Sequence, residues 1–257
     1  MNSQQKWVAF VTIVRREIRR FMRIWPQTLV PPVITIALYF VIFGKLIGSR
    51  IGEMSALPYI QFVAPGLIMM SVITNSYSNV VSSFFGSKFQ RNIEELLVSP
   101  TPNWVILIGY VVGGMARGLG VGLIVTLLSL YFAEFSLYNL SVTVAIILMT
   151  SLMFSLAGLI NAIFANSFDD ISIIPTFVLT PLIYLGGVFY SIDLLGGFWQ
   201  SVSLFNPILY MVNAFRYGMV GITDIDILWS FVMVSFFSVL MFAVALWLLE
   251  KGSRLRS

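Results

Sequence analysis

The sequence predicts an all-α integral membrane protein with six transmembrane helices, and three observations carry that reading. Charged residues are 10% of the 257-residue chain and hydrophobic residues 58%, at a mean hydropathy of +0.93. A soluble domain carries about 25% charged residues, so there are too few here to clothe a water-facing surface. Second, runs free of Asp, Glu, Lys and Arg reach the roughly 20 residues that a helix needs to cross a bilayer core. They are residues 24–44, 54–87, 135–168, 171–192 and 227–249, with 104–132 interrupted only by Arg117. Third, the basic residues gather at the ends: Lys6, Arg15, Arg16, Arg19, Arg20 and Arg23 before the first run, and Lys251, Arg254 and Arg256 after the last.

Basic flanks face the cytoplasm, so both termini belong inside and the number of crossings is even. The further run 194–215 would make seven, and Asn206-Pro207 breaks it into pieces too short to span. It is read as an apolar hairpin or re-entrant pair entering from the outer side, covered there by protein or a wet cavity. The six spans are placed at about 28–47, 60–85, 104–132, 139–164, 171–190 and 227–249, within one membrane domain covering 1–257. Lys88 and Arg91 then fall inside, and Lys45, Arg50 and Arg216 outside.

Several function classes are excluded. The chain has no Cys and no His, so thiolate metal sites and the usual neutral-pH general base are missing. No metal or cofactor motif is present. Gly44-Lys45 is followed by Leu, and Gly86-Ser87-Lys88 lacks the P-loop spacing, so the chain has no phosphate-binding loop with which to hold ATP. No Asp or Glu lies inside the six spans, where ion-coupled carriers place them. The net charge of +4 sits at the chain ends and suits an anionic membrane surface, not a nucleic acid.

Taken in order, the first segment is too long and too basic for a cleaved signal peptide. Val11, Val14, Ile18, Phe21, Met22 and Trp25 recur at helical spacing, with Arg16, Arg19, Arg20 and Arg23 opposite. That pattern describes a basic amphipathic helix over 4–25 lying in the inner interface, with Trp7 and Trp25 as anchors. It serves as anchor and topology determinant, or also packs against a cytosolic partner. After the second span, Ser87-Lys88-Phe89-Gln90 has the form of a capping box, and Ser99-Pro100-Thr101-Pro102 must stop the helix. Between them the pattern gives a helix of about 11 residues, with Phe89, Ile93, Leu96 and Leu97 on one face and Arg91 able to pair with Glu94 or Glu95. Such a short two-faced helix either docks a partner or rests its apolar side on the membrane or on the N-terminal helix.

In the third span, Arg117 lies about 20 Å along the helix from Trp104, and Gly109, Gly113, Gly114, Gly118 and Gly122 give small-xxx-small spacings for close helix packing. A charge there lines a wet pathway, or pairs with a polar group such as Asn75 or Asn161, or snorkels. In the turn 166–170, Asp169 and Asp170 open the fifth span, which helix capping and the macrodipole explain. Two adjacent carboxylates exceed what one cap needs, so a partner contact is the alternative.

Several ordered stretches carry a resemblance: Phe21-Met22-Arg23-Ile24-Trp25, Phe62-Val63-Ala64-Pro65-Gly66-Leu67-Ile68, the segment from Lys88 to Pro100, Phe168-Asp169-Asp170-Ile171, the segment from Pro181 to Ser191, and Asn206-Pro207. Through these the whole chain resembles the ABC-2 type transporter permeases, in particular bacterial inner-membrane members. The resemblance implies a six-span permease that forms a homodimer and pairs with two copies of a separate ATPase subunit. It makes Lys88, Phe89, Arg91, Ile93, Glu94, Glu95 and Leu97 part of a coupling helix, and Phe168, Asp169 and Asp170 a second ATPase contact. The outer hairpin would cap the pathway. Members of the family export lipid-linked polysaccharides, drugs or other hydrophobic compounds, so the substrate is expected to be hydrophobic or amphipathic. Outside the family, the alternatives are an ion-coupled carrier or channel, and a non-transporting membrane scaffold.

Overall fold

The computed structural model describes residues 1–133 and 137–252, and only the backbone of Lys45. Arg254 and Arg256, and the start of the apolar run at Phe135, lie outside the described residues. The first helix, α1 (Ser3–Arg23), opens with a capping box in which Asn2 and Gln5 exchange side-chain and backbone hydrogen bonds. From Trp25 one apolar segment runs for 27 residues to Ile51. It consists of α2 (Trp25–Tyr39), a π-helical stretch over Phe40–Ile47, and α3 (Gly48–Ile51). Pro31 and Pro32 inside α2 remove two backbone donors, and π turns lie just beyond them. A two-residue hairpin, β1 (Glu53–Met54) against β2 (Leu57–Pro58), leads into α4 (Tyr59–Phe89).

Next come α5 (Asn92–Val98), α6 (Asn103–Phe132) and α7 (Leu140–Phe164). The segment expected as a fifth span is a shorter continuous helix, Asp170–Tyr184, made of α8 (Asp170–Ile174), a π stretch over Pro175–Leu179 and α9 (Thr180–Tyr184). Helix there ends at Tyr184 rather than near 190, because Gly187 takes φ +70° and turns the chain. Then come α10 (Gly197–Leu204), α11 (Pro207–Val220) and α12 (Ile227–Lys251). The break between α10 and α11 falls at Asn206-Pro207, where the Asn206 carboxamide oxygen accepts from the Ile208 N–H. Among the described residues, four segments combine the length and composition of a membrane span: 25–51, 103–132, 140–164 and 227–251.

Helix α4 is the centre of the bundle. Twenty-one of its 31 residues are buried, and α6, α7, α11 and α1 pack around it or around its neighbour α6. Small residues permit that density. On α6, Gly114, Gly118 and Gly122 form one row whose missing Cβ atoms leave room for Val80, Ser76 and Val72 of α4. A second row, Gly109 and Gly113, receives Ile13 and Glu17 of α1. On α7, a Cβ at Gly158 would stand 2.5 Å from the Tyr77 carbonyl oxygen of α4. The small-xxx-small spacing therefore serves two different neighbours, α4 and α1.

Gly158→Ala presses a methyl group against backbone that cannot rotate away, and overpacking of this kind costs about 1–3 kcal/mol. It should lower the thermal unfolding midpoint of the detergent-purified protein clearly more than Gly120→Ala, whose Cβ meets nothing within 4 Å.

Candidate functional site

The two turns proposed from sequence as partner contacts come together at the end of the bundle where α1 lies. Helix α4 runs through Ser87 without interruption to Phe89, so the expected capping box does not form. Instead the Ser87 hydroxyl donates to Ser83 O, four residues back. The chain reverses at Arg91, whose φ of +61° is left-handed, and the short helix is α5, 7 residues long rather than about 11. Phe89 thus belongs to the long helix, not to the short one. On α5, Ile93 is fully buried, Leu96 and Leu97 pack against the core, and Val98 is 81% exposed. Glu95 and Arg91 face outward with Val98. Among the described residues Arg91 makes no ion pair with Glu94 or Glu95, since the ion pairs there involve Glu17.

Lys88, in the last turn of α4, joins the two turns. Its ammonium donates to Ile163 O at 2.7 Å and to Ala165 O at 2.8 Å, filling the open carbonyls at the C-terminus of α7, where a cation also suits the helix dipole. Phe168 completes the link, its ring 5.0 Å from both Phe85 and Phe89. Asp170 accepts from the N–H groups of Asn166 and Ser167, so it caps the turn rather than the first turn of its own helix. Asp169 makes no side-chain cap bond. The Asn166 N–H first, then the Ser167 hydroxyl, hold the Asp170 carboxyl below the usual carboxylate range.

A second arrangement runs up α4 as a polar ladder. Asn75, Asn79, Ser83 and Ser87 recur every four residues and so stack on one face. Each meets a side chain from α1 or α6. Arg117 donates to Asn75 Oδ1 at 3.2 Å and to Thr28 O at 3.3 Å. Arg20 donates to the Asn79 carbonyl and carboxamide oxygens at 2.9 and 2.8 Å. The Ser83 hydroxyl donates to Glu17 Oε2 at 2.5 Å. Arg16 reaches Tyr110, whose hydroxyl donates to Ser87 Oγ at 3.0 Å. Glu17 is 1% exposed, with Arg16 at 3.2 Å and Arg20 at 3.4 Å. Arg16 and Arg20 therefore turn inward to Glu17, although the spacing placed them with Arg19 and Arg23 opposite the apolar stripe. The expected apolar stripe divides accordingly. Phe21 is buried, whereas Ile18, Met22 and Trp25 stay exposed.

Arg117 takes Asn75 as partner and not Asn161, which donates to Ile171 O. Its guanidinium reaches toward the start of α2, so it does not stand isolated at mid-helix. Beside it, an open groove of about 410 Å3 is lined by Gln27, Thr35, Thr74, Asn75, Ser78 and Arg117, among others. A larger cleft of about 940 Å3 lies under α1, between its arginines and Ser82, Ser83, Gly86 and Gln90 of α4. Thr74 and Ser78 in the groove, and Ser82, Gly86 and Gln90 in the cleft, follow one another at four-residue intervals. Groove and cleft thus open one after the other along a single face of α4, with no lining residue in common.

Sequence reasoning missed Glu17 and Arg216. Glu17 is the lone acid among five arginines of the first helix, a signal that was there to read. Arg216, expected outside, is fully buried on α11. It donates to Gly187 O at 2.6 Å and to Phe62 O at 3.2 Å, with its guanidinium over the Phe62 ring. It thereby ties α11 to α4 and to the turn after α9.

Glu17→Ala leaves Ser83 and Arg20 without their buried acceptor. It should destabilise the protein by about 1–3 kcal/mol, against little change for Glu53→Ala at an exposed position; thermal unfolding compares the two. The turn 166–170 should respond to pH. Its Asp170 is held below its unfolded pKa, so the contribution is full above the ordinary aspartate range, about pH 4, and fades as pH falls through the lowered value. Protection of the Asn166 and Ser167 amides from exchange, relative to unstructured peptide at the same pH, should fall there in the native protein, and be low at every pH in Asp170→Asn.

Comparison with known proteins places this architecture. The model of the ABC-2 type transporter family matches residues 8–220. The chain is 58% identical over 251 residues to the inner membrane transport permease YadH of Escherichia coli strain K12, covering 98% of each protein. It is 26% identical over 189 residues to nodulation protein J of Rhizobium leguminosarum bv. viciae, covering 72% of this chain and 71% of that one. Nodulation protein J of Neorhizobium galegae is 22% identical over 246 residues, covering 95% and 93%. With the family model spanning most of its length and a near full-length relative at 58% identity, the chain belongs to the ABC-2 type transporter family, as a multi-pass inner-membrane transport permease.

Proposed function

We propose that the chain is the membrane half of an ATP-driven exporter: two copies form a homodimer, and each engages a separate ATPase subunit on the cytoplasmic side. The observation that carries this reading is the joined platform of α5 and the turn 166–170. Lys88 and the Phe85–Phe89–Phe168 cluster hold the two turns as one body, and α5 is seated on the bundle by Ile93. A push on Glu94, Glu95 or Val98 would pass through that body into α4 and α7 instead of being absorbed by a loose loop. Phe168, Asp169 and Asp170 supply the second edge of the contact.

Six crossings fit the helices. The 31 residues of α4 are long enough, and the shorter helix Asp170–Tyr184 makes the fifth together with the turn that follows it to Tyr190. Burial of Arg216 leaves only Lys45 and Arg50 among the outer basic residues, which sharpens the charge asymmetry that puts both termini inside. The pieces α10 and α11, each too short to span, form the re-entrant hairpin on the outer side. The groove beside Arg117 is the face offered to the substrate, with Arg117 and Asn75 on it. Its cargo is a hydrophobic or amphipathic molecule moving outward.

Glu94→Lys combined with Glu95→Lys should leave membrane insertion and the unfolding midpoint unchanged, because Glu95 is exposed, Glu94 half-buried, and neither makes an ion pair in the described residues. The same change should abolish co-purification of the ATPase subunit. Full recovery of the ATPase with the doubly substituted permease would remove the docking role.

A further inference from the structure

The cleft under α1 carries a charge pattern that neither the coupling platform nor the fold consumes. Arg15, Arg16, Arg19, Arg20 and Arg23 line it together with one carboxylate, Glu17. Glu17 is taken up by Arg16 and Arg20. Arg15, Arg19 and Arg23 are exposed, and among the described residues they form no ion pair. These three recur every four residues, so they make one row about 12 Å long on the helix. Such a row has no structural task, and three unopposed guanidiniums this close repel one another unless an anion lies among them.

The surroundings say which anion. Arginine forks match phosphate oxygens two at a time. The opposite wall offers the exposed Ser82 hydroxyl and Gln90 amide, which suit a hydrogen-bonding headgroup, whereas Ser83 and Ser87 are engaged with Glu17 and Tyr110. At the mouth stands Ile24, 39% exposed, with Met22 and Trp25 exposed beside it, so apolar surface adjoins the cationic row. Helix α1 ends where the 27-residue apolar segment begins, which sets the cleft at the depth of bilayer headgroups. A ligand with a phosphate and an acyl tail satisfies all of these features at once, whereas a free phosphate would leave the apolar mouth unused.

We propose that this cleft is a binding site for the phosphate of an anionic phospholipid, with Arg15, Arg19 and Arg23 as its phosphate-binding residues. The site stands independently of the exporter reading, because it needs neither an ATPase nor a cargo. The test uses the full chain, purified in a nonionic detergent and titrated with short-chain phosphatidylglycerol, short-chain phosphatidylcholine and inorganic phosphate. Phosphatidylglycerol should bind at least tenfold more tightly than either of the others. The triple change Arg15→Gln, Arg19→Gln, Arg23→Gln should weaken it about a hundredfold, taking the contribution of one basic residue at an anionic surface as additive over three. Each single change should weaken it about fivefold, so the result does not hang on one variant folding. Equal binding of phosphatidylcholine, or inorganic phosphate binding as tightly as phosphatidylglycerol, would overturn the lipid assignment. Unaltered phosphatidylglycerol affinity in the single variants would overturn the assignment of residues.

Discussion

The position of α1 rests on one buried carboxylate. Glu17, 1% exposed, is gripped by Ser83 of α4 and by Arg16 and Arg20 of its own helix, while its methylene groups fill the space left by Gly113 of α6. A carboxylate taken out of water is costly unless it is paired and hydrogen-bonded. Here both conditions are met only if α1 lies along the α4–α6 seam in a single register. An amphipathic helix resting on a bilayer has no such preference for one rotation about its axis. The buried ion cluster thus turns a surface anchor into a packed element, and the cleft beneath α1 exists because the helix is held there.

Helix α4 links everything else. It carries the polar ladder on one face, the groove and the cleft on the next, and at its end Lys88 and Phe89, which join it to the turn 166–170. At 31 residues it is about 46 Å long and nearly enclosed by other helices. From Thr74 to Lys88 this helix is an unbroken rod, its one proline, Pro65, lying toward the other end. At the other end Arg216 binds Phe62 O and Gly187 O, so the broken helices α10 and α11 are tied to the same rod. Irregular backbone at that end is tolerated because protein covers it and satisfies its polar groups.

Much of this was legible in the sequence, and the residues show why. Long charge-free runs can only be apolar helices, so the boundaries of α6, α7 and α12 fall within a few residues of the expected ones. The glycine spacing of α6 announced close packing. The stop at Ser99-Pro100-Thr101-Pro102 depends on local sterics and held. The capping box at Ser87 failed because an N-terminal cap needs the chain to leave the helix there. Burial of Ser83, Phe84 and Phe85 against neighbouring helices keeps α4 going to Phe89 instead. The Arg91 pairing failed for a related reason: a left-handed residue ahead of α5 directs its side chain away from the helix that follows.

What sequence by itself determined is the solvent of this protein and the way the chain divides between helix and turn. Hydrophobicity, charge placement and proline act locally or additively, and so can be read along one dimension. Tertiary structure alone decided partners: that Arg117 chooses Asn75 over Asn161, that Arg216 is swallowed by the bundle, and that Lys88 caps a helix 75 residues further on. Polar side chains in an apolar protein must find hydrogen bonds wherever packing brings an acceptor. That choice depends on how neighbouring helices are rotated about their axes, which no spacing along the chain encodes.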